Sequence, residues 1–471
     1  MSARLVNVDH DTPLLLPADI RDWVKKDHLV HFVMDAVDEL DVSSAVLNER
    51  GTGSAQYPPR LLLGLLIYSY ATGMFSSRQI ERATSENVAV RLLCADTHPD
   101  HDTLCTFRRN NRVLLVRAFA QVLELAMKCG VLRVGKMSVA VDGTKVLANA
   151  SKHAAASYDW AAERMEELGL EIEQLVAKAE NADSTPLEEG LSIPAEIARR
   201  QERKAQLAVA RAEIEARAFA RSALEREQYA AKMAERTAQR AAGKKPRGKD
   251  PQKPSGKPAG KEQMNFTDPE SRIMPESGGG FEQCYNAQAG VEVESRLIVG
   301  VAITQAPNDQ QQLEAGLAMV TAALGTAPAQ LLVDSGYVSE AAVGAVERNA
   351  QGEPTGVEVL AAMGRQPHGR TVEELEQRND PPAPGPEASF AEKMKHRVST
   401  KAGRARYALR MQTVEPVFGI IKEAMGFRRF SLRGLAKVST EWTLVTLAYN
   451  LRRLHRLGAV LSSPVAVAEA I

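Results

Sequence analysis

The sequence predicts an α+β protein, and three kinds of stretch carry that prediction. Residues 1–130 read as short helices separated by turns. Residues 159–239 are rich in Ala, Glu, Arg, Gln and Leu and read as long amphipathic helices. Around them lie short apolar, β-branched runs: SVAVDGTKVLANAS, then FEQCYNAQAGVEV and SRLIVGVAIT as neighbouring strands, then AQLLVD and VEVLAAM alternating with helix-like segments. Hairpin strands followed by alternating helices and strands make a mixed sheet.

In chain order, PPRLLLGLLIYSYA begins with prolines suited to a first helical turn, Ser76 and Ser77 are placed to cap SSRQIERAT, and Thr84 or Ser85 to cap ENVAVRLLCA. In THPDHDT, His98 and His101 flank Asp100 and Asp102 and mimic a metal cluster; the preferred reading is a turn in which Asp102 or Thr103 caps the helix beginning at LCTFRRNN. Short helices joined by turns allow a helix-turn-helix, with Arg78, Arg82, Arg108 and Arg109 as candidate DNA contacts. Residues 131–158 open the sheet. The insertion 159–239 is a helical hairpin or coiled coil, either a spacer or a dimerisation arm. Residues 240–275 form a basic linker: from Arg240 to Lys261 the only acid is Asp250, and Lys, Arg, Gly and Pro dominate, so flexibility is expected. Residues 276–458 complete the core, and 459–471 are a tail.

Composition narrows the class. The 471 residues suffice for two or three domains with a sizeable core, and the formal net charge is zero. That balance excludes a protein coating nucleic acid nonspecifically, so any DNA contacts must be clustered. One cluster is the basic linker. The other is carboxyl-terminal, where GFRRFSLRG interleaves Phe427 and Phe430 with Arg428, Arg429 and Arg433, so that the rings anchor the loop and the guanidiniums face phosphates. Cys94, Cys105, Cys129 and Cys284 form no CxxC pair, which argues against a zinc ribbon or a disulfide framework and fits a reducing cytoplasm. No basic, apolar leader opens the chain and the longest apolar run, 61–68, is too short for a membrane span.

Three acidic motifs carry the chemistry. Asp142 follows the apolar run SVAV, and Asp334 follows LLV and precedes Gly336. Glu415 lies in YALRMQTVEPVFGIIKEAMGFRRF, whose spacing suits a helix with Pro416 in its first turn and Glu415, Gly419 and Lys422 on one face. Three hard carboxylates from two strand ends and a helix suit one or two divalent cations, since magnesium takes oxygen ligands and keeps positions open for water and phosphate. Two such ions about 3.5–4 Å apart would serve phosphodiester chemistry. Asp309, in NDQQQL, is a rival for the second ligand but is better explained as a helix cap, and Glu441, a rival for the third, reads as a structural residue of a late helix.

Across DGTKVLANAS, GGGFEQCYNAQAGVEVESRLIVG, NDQQQL, VDSGYVSE, TVEPVFGIIKEAMGFRRFSLRGL and EWTLVTLAYNLRRL, the chain resembles the DDE transposases of bacterial insertion sequences, in the group of IS4-like and IS5-like elements. The resemblance extends through the amino-terminal helices. It implies an RNase H-like catalytic core, with Asp142, Asp334 and Glu415 as catalytic triad and ligands of Mg²⁺ or Mn²⁺. The family's tyrosine, arginine, glutamate and lysine signature falls on Tyr407, Arg410, Glu415 and Lys422, with Tyr407, Arg410 and Lys422 expected to contact DNA, Lys422 at the backbone beside the metals. The gap from Arg410 to Glu415 holds four residues where the family has three, and Met411 stands at the expected arginine position. Implied partners are double-stranded DNA, as terminal inverted repeats and as target, and a second copy of the chain in a homodimer. The implied reaction is hydrolytic cleavage at the element's ends followed by attack of the freed 3′-hydroxyl on target DNA, in the cytoplasm of a bacterium. A DNA-binding protein that has lost catalysis and an RNase H-like nuclease without strand transfer are the competing readings.

Overall fold

The computed structural model describes residues 18–47, 55–180, 192–243, 246, 249–276, 279–363 and 380–461. Among them six strands form one mixed sheet. The long strand β5 (Phe281–Glu292) lies antiparallel to β1 (Ser138–Leu147), while β4 (Arg272–Pro275) and β6 (Ile298–Thr304) share its other edge. On the far side of β1, β7 (Gln330–Val333) and then β8 (Glu358–Ala361) run parallel to it. The α+β class read from the sequence is therefore present, as strand pairs at one edge and crossovers at the other. A small separate ribbon pairs β2 (Ala155–Ser157) with β3 (Gln263–Asn265).

Helices cover both faces. On one side α9 (Leu313–Leu324) lies against the sheet through small residues: a Cβ on Gly300 would meet the Val320 backbone at 3.0 Å, and one on Gly316 would meet Val141 Cγ1 at 3.1 Å. A short helix, α10 (Glu340–Glu347), follows β7. On the other side lie α12 (Lys401–Gly419), preceded by α11 (Phe390–Ser399), and α13 (Leu435–Arg456), whose residues from Thr440 to Leu451 are all buried. The amino-terminal helices α1 (Leu29–Asp38), α2 (Pro59–Ala71), α3 (Ser77–Glu86), α4 (Val88–Leu93), α5 (His101–Asn110) and α6 (Arg112–Lys128) share one continuous apolar core with α13 and the sheet. Every residue of α2 from Leu62 to Ala71 is buried, which is why its sequence is apolar all round rather than on one stripe.

Several local expectations change. Asp100, not Asp102 or Thr103, caps α5, its carboxylate accepting from Thr103 N at 2.6 Å; the helix begins at His101. Asn87 caps α4 in place of Thr84 or Ser85. Pro416 lies deep inside α12, which starts at Lys401 with Thr400 as its cap, and a π-helical turn, Ile420–Ala424, follows. The lost N–H and the ring of an internal proline favour such a local rearrangement of helical hydrogen bonding.

The insertion is a hairpin of α7 (Tyr158–Glu180) and α8 (Ile193–Ala241). At about 1.5 Å per residue, α8 alone is about 74 Å long. The described part of the basic segment, expected as a flexible linker, runs back along α8: Asp250 accepts from Arg236 Nε at 2.9 Å and Arg240 Nη2 at 2.8 Å, and Glu262 from Arg221 Nη2 at 2.7 Å. Asp250 and Glu262 are spent on this return path. The four cysteines are free, and among the described residues no helix is long and apolar enough to cross a membrane.

Candidate active site

Strand register places the two aspartates together. Ala140 is level with Leu332 in the parallel pair, so Asp142 and Asp334, each two residues further on, stand side by side where β7 ends. β1 itself continues past Asp142 to Leu147 because β5 still pairs with it, with Asp142 opposite Ala289. Asp142 therefore occupies the middle of a long strand rather than the strand end expected for it. Asp334 directs a carboxylate oxygen to Ser335 N at 2.8 Å and opens the turn to Tyr337.

Helix α12 crosses above this pair. Arg410 donates from Nη2 to Asp142 Oδ2 at 2.8 Å, an ion pair whose side chains are only 10% and 19% exposed. The Tyr407 hydroxyl donates to the Val333 carbonyl, one residue before Asp334, at 3.2 Å. Burial pushes the Asp142 carboxyl up to about 6; the Arg410 guanidinium and the Gly143 N–H oppose that rise, while Asp309 and Asp334 add to it. A carboxylate desolvated and crowded by like charge gains most from an added cation. Arg410 Nε is buried with no hydrogen-bond partner, so the guanidinium is incompletely satisfied where it sits.

The other expected site residues divide sharply. Glu415 is exposed on the flank of α12, away from the face that carries Arg410, Val414 and Val417 into the core. Among the described residues no three acidic, histidine or cysteine side chains gather as a metal cage. The oxygen donors of Asp142 and Asp334 fit a hard divalent cation, which commonly takes one or two carboxylates and keeps waters; Glu415 is not brought to them. Lys422 turns inward and donates from Nζ to the Lys145 carbonyl at 2.9 Å, and burial lowers its pKa. It braces the end of β1, where a surface phosphate contact was expected.

Arg108, expected at DNA, is buried: it donates to the Tyr70 hydroxyl at 2.6 Å beneath Glu441, which is itself fully buried and accepts from Ser431 N and Leu432 N at about 3.0 Å. At 5% exposure, with its guanidinium on the Tyr70 hydroxyl and the Phe75 carbonyl, this arginine has no path to a phosphate. Arg109, one residue on, is exposed. Tyr407 and Arg410 likewise turn to protein partners, the Val333 carbonyl and Asp142. Arg428, Arg429 and Arg433 are exposed around the loop after α12; Arg428 pairs with Glu423, and Arg433 donates to the Asn149 carbonyl at 3.0 Å. Arg429 and Arg433 line an open cleft of about 400 Å³ with Lys152, His153 and Glu282. Phe427 and Phe430 are buried against Phe75, Tyr285 and Trp442, which is how the loop between them is held with its arginines outward.

Asp309 also departs from its reading as a helix cap. It does not cap α9, whose preceding residue is Gln312; its carboxylate accepts from Asn286 Nδ2 at 2.9 Å and Gln288 Nε2 at 2.7 Å, next to Gly143. The alternation of Asn286 and Gln288 on one face of an apolar strand was the available signal.

Two comparisons with protein families bear on this arrangement. Residues 385–455, spanning α11 to α13 with Glu415 and the basic loop, match the family described as a transposase DDE domain. Residues 18–110 match a transposase domain (DUF772). These two matches support a DDE-type transposase of an insertion sequence. Asp142 and Asp334 lie between the matched stretches, and no curated protein and no solved structure matches the chain.

Proposed function

We propose that this transposase binds the terminal inverted repeats of its element and carries out metal-dependent DNA cleavage and strand transfer at Asp142 and Asp334. The observation that carries the reading is the pairing of these two carboxylates at the end of the parallel strands, under an arginine that supplies the compensating charge. A divalent cation bound there would acidify a water and neutralise charge developing on a phosphate. The residues themselves do the placing: Asp142 and Asp334 present oxygen ligands from a rigid sheet, and the Tyr407 hydroxyl ties α12 to the end of β7. The exposed Arg429 and Arg433 offer charge to the DNA backbone beside β1. Glu415 is proposed as the third carboxylate, reaching the pair in the DNA-bound state.

The order of strands supports an RNase H-like core: a meander of β6, β5 and β1, then β7 and β8 added parallel on the far side of β1. We further propose domains at 1–130, 131–158 with 276–458, 159–239 and 240–275, a homodimer joining two DNA ends, and action in the cytoplasm. The test is excision and strand transfer from a plasmid carrying the gene's flanking DNA with Mg²⁺. Joined products from the wild type and none from Asp334→Asn, with DNA binding retained, are expected; products from both would refute the assignment.

A further inference from the structure

Beneath Asp142, on the side of the sheet opposite Arg410, lies a polar layer that neither the metal ligands nor the DNA-facing arginines use. Gly143 is level with Gln288 on the neighbouring strand, and Lys145 with Asn286. A Cβ on Gly143 would fall on Gln288 Nε2 and Asn286 Oδ1, and would lie 2.7 Å from Asp309 Oδ1. The missing side chain thus opens a gap in β1 through which Gln288 reaches. On its far side, Gln288 Oε1 accepts from the Tyr337 hydroxyl at 2.6 Å. Tyr337 closes the turn that Asp334 opens, and its side chain is 1% exposed. On the near side, Gln288 Nε2 donates to Asp309 at 2.7 Å and to Asn286 Oδ1 at 3.1 Å, and Asn286 Nδ2 donates to the same Asp309 oxygen at 2.9 Å. Asn286 and Gln288 are 2% and 3% exposed, so each unmade bond here would carry the cost of a buried amide.

We propose that Asp309 is a positioning residue: through Gln288 and the Tyr337 hydroxyl, it sets where Asp334 stands relative to Asp142. The inference rests on the reading of those two aspartates as the metal-binding pair. Gln288 belongs to β5 and Tyr337 to the turn after β7, so their bond spans β1 and ties both neighbours of the Asp142 strand together. An amide rotates freely about its last torsion unless its two ends are held differently. Here Asp309, an acceptor only, takes the N–H end and leaves the carbonyl end for Tyr337. Without Asp309 the Gln288 N–H end keeps only its 3.1 Å bond to Asn286 Oδ1, itself oriented by a 3.3 Å bond from Asn286 Nδ2 to the Ala306 carbonyl, and the acceptor offered to Tyr337 is less firmly held.

The test is Mn²⁺ binding to the full-length chain, followed by electron paramagnetic resonance, with circular dichroism and thermal melts of each variant. Asp309→Asn retains a carbonyl oxygen able to accept both amides and is expected to stay within about threefold of wild-type affinity. Asp309→Leu and Tyr337→Phe are expected to weaken Mn²⁺ on the order of tenfold, the usual scale for groups that orient ligands, and the double variant to be no weaker than Asp309→Leu alone. Loss in Asp309→Asn as severe as in Asp142→Asn would overturn the proposal, because it would make the charge itself a ligand. Wild-type affinity in Tyr337→Phe would also overturn it, and that arm decides the matter if Asp309→Leu does not fold. Undiminished Mn²⁺ binding by Asp142→Asn would instead remove the metal-pair reading, and the proposal with it.

Discussion

Protons and metal should compete at Asp142 in a range where an ordinary aspartate is already ionised. Its carboxyl is pushed up to about 6 from 3.8, chiefly by burial, with Asp309 and Asp334 contributing against the pull of Arg410. For one competing proton, the ionised fraction falls about tenfold between pH 7 and pH 5 with a pKa near 6, but by less than about 10% for an unshifted group. Metal affinity of the DNA-free chain should therefore drop about tenfold over those two units. Stability of the metal-free chain runs the other way. A group whose folded pKa is raised contributes stability that is fully present below its unfolded value and lost as pH rises through the folded one, here between about pH 4 and pH 6. A shift of about two units corresponds to about 3 kcal/mol at neutral pH. The assay is Mn²⁺ titration by electron paramagnetic resonance at pH 5, 6, 7 and 8, paired with metal-free thermal melts. Arg410→Gln removes the opposing positive charge, so its affinity profile should move to higher pH. A flat affinity from pH 7 to pH 5, or a profile that Arg410→Gln moves downward, would refute the electrostatic account.

Further outcomes follow from the same geometry. Arg108→Ala should destabilise the fold by about 3–5 kcal/mol, since it strands the buried Glu441 without its nearby positive charge; Arg109→Ala, at an exposed position, should shift unfolding by less than about 0.5 kcal/mol. Chemical denaturation of the two variants separates them. Glu415→Gln should leave stability within about 0.5 kcal/mol, because the side chain is exposed, while abolishing joined products in the plasmid assay; retained strand transfer would remove Glu415 from the catalytic set. Gly143→Ala should abolish Mn²⁺ binding or folding, as its methyl group would overlap the amides of Gln288 and Asn286; a well-folded variant with wild-type affinity would show that the layer under β1 yields easily.

Much of the fold was legible because its signals are local. The β-branched runs of β5 and β6, the apolar spacing of α9 and the charged periodicity of α7 and α8 each satisfy one element's own requirements, and each formed as read. Helix starts were less legible. Thr84, Ser85, Asp102 and Thr103 are all competent caps by residue type, and only packing decides that Asn87 and Asp100 are used. Pro416 was misplaced for a similar reason: a proline is cheapest in a first turn, yet here α12 begins well before it, at Lys401, and a π turn just beyond it absorbs the disturbance.

The candidate site shows the same boundary more sharply. Asp142 and Asp334 stand out in the sequence because each follows a short apolar run, and the register of a parallel pair then brings equivalent positions together without further instruction. Arg108 misled because arginine is so often a surface residue; its burial depends on Tyr70 and Glu441, which arrive from helices 38 residues before it and far downstream. Asp309 was unreadable for a stronger reason. Its partners are chosen by the antiparallel register that sets Gly143 beside Gln288, a pairing between residues far apart in the chain, and by the absence of a side chain at one of them. A motif reports what a residue can do, whereas register decides which neighbours it does it with. The arrangement around Gly143 therefore had to be seen in the folded chain, and the Asp309→Asn and Asp309→Leu pair is the experiment in which that register has a measurable consequence.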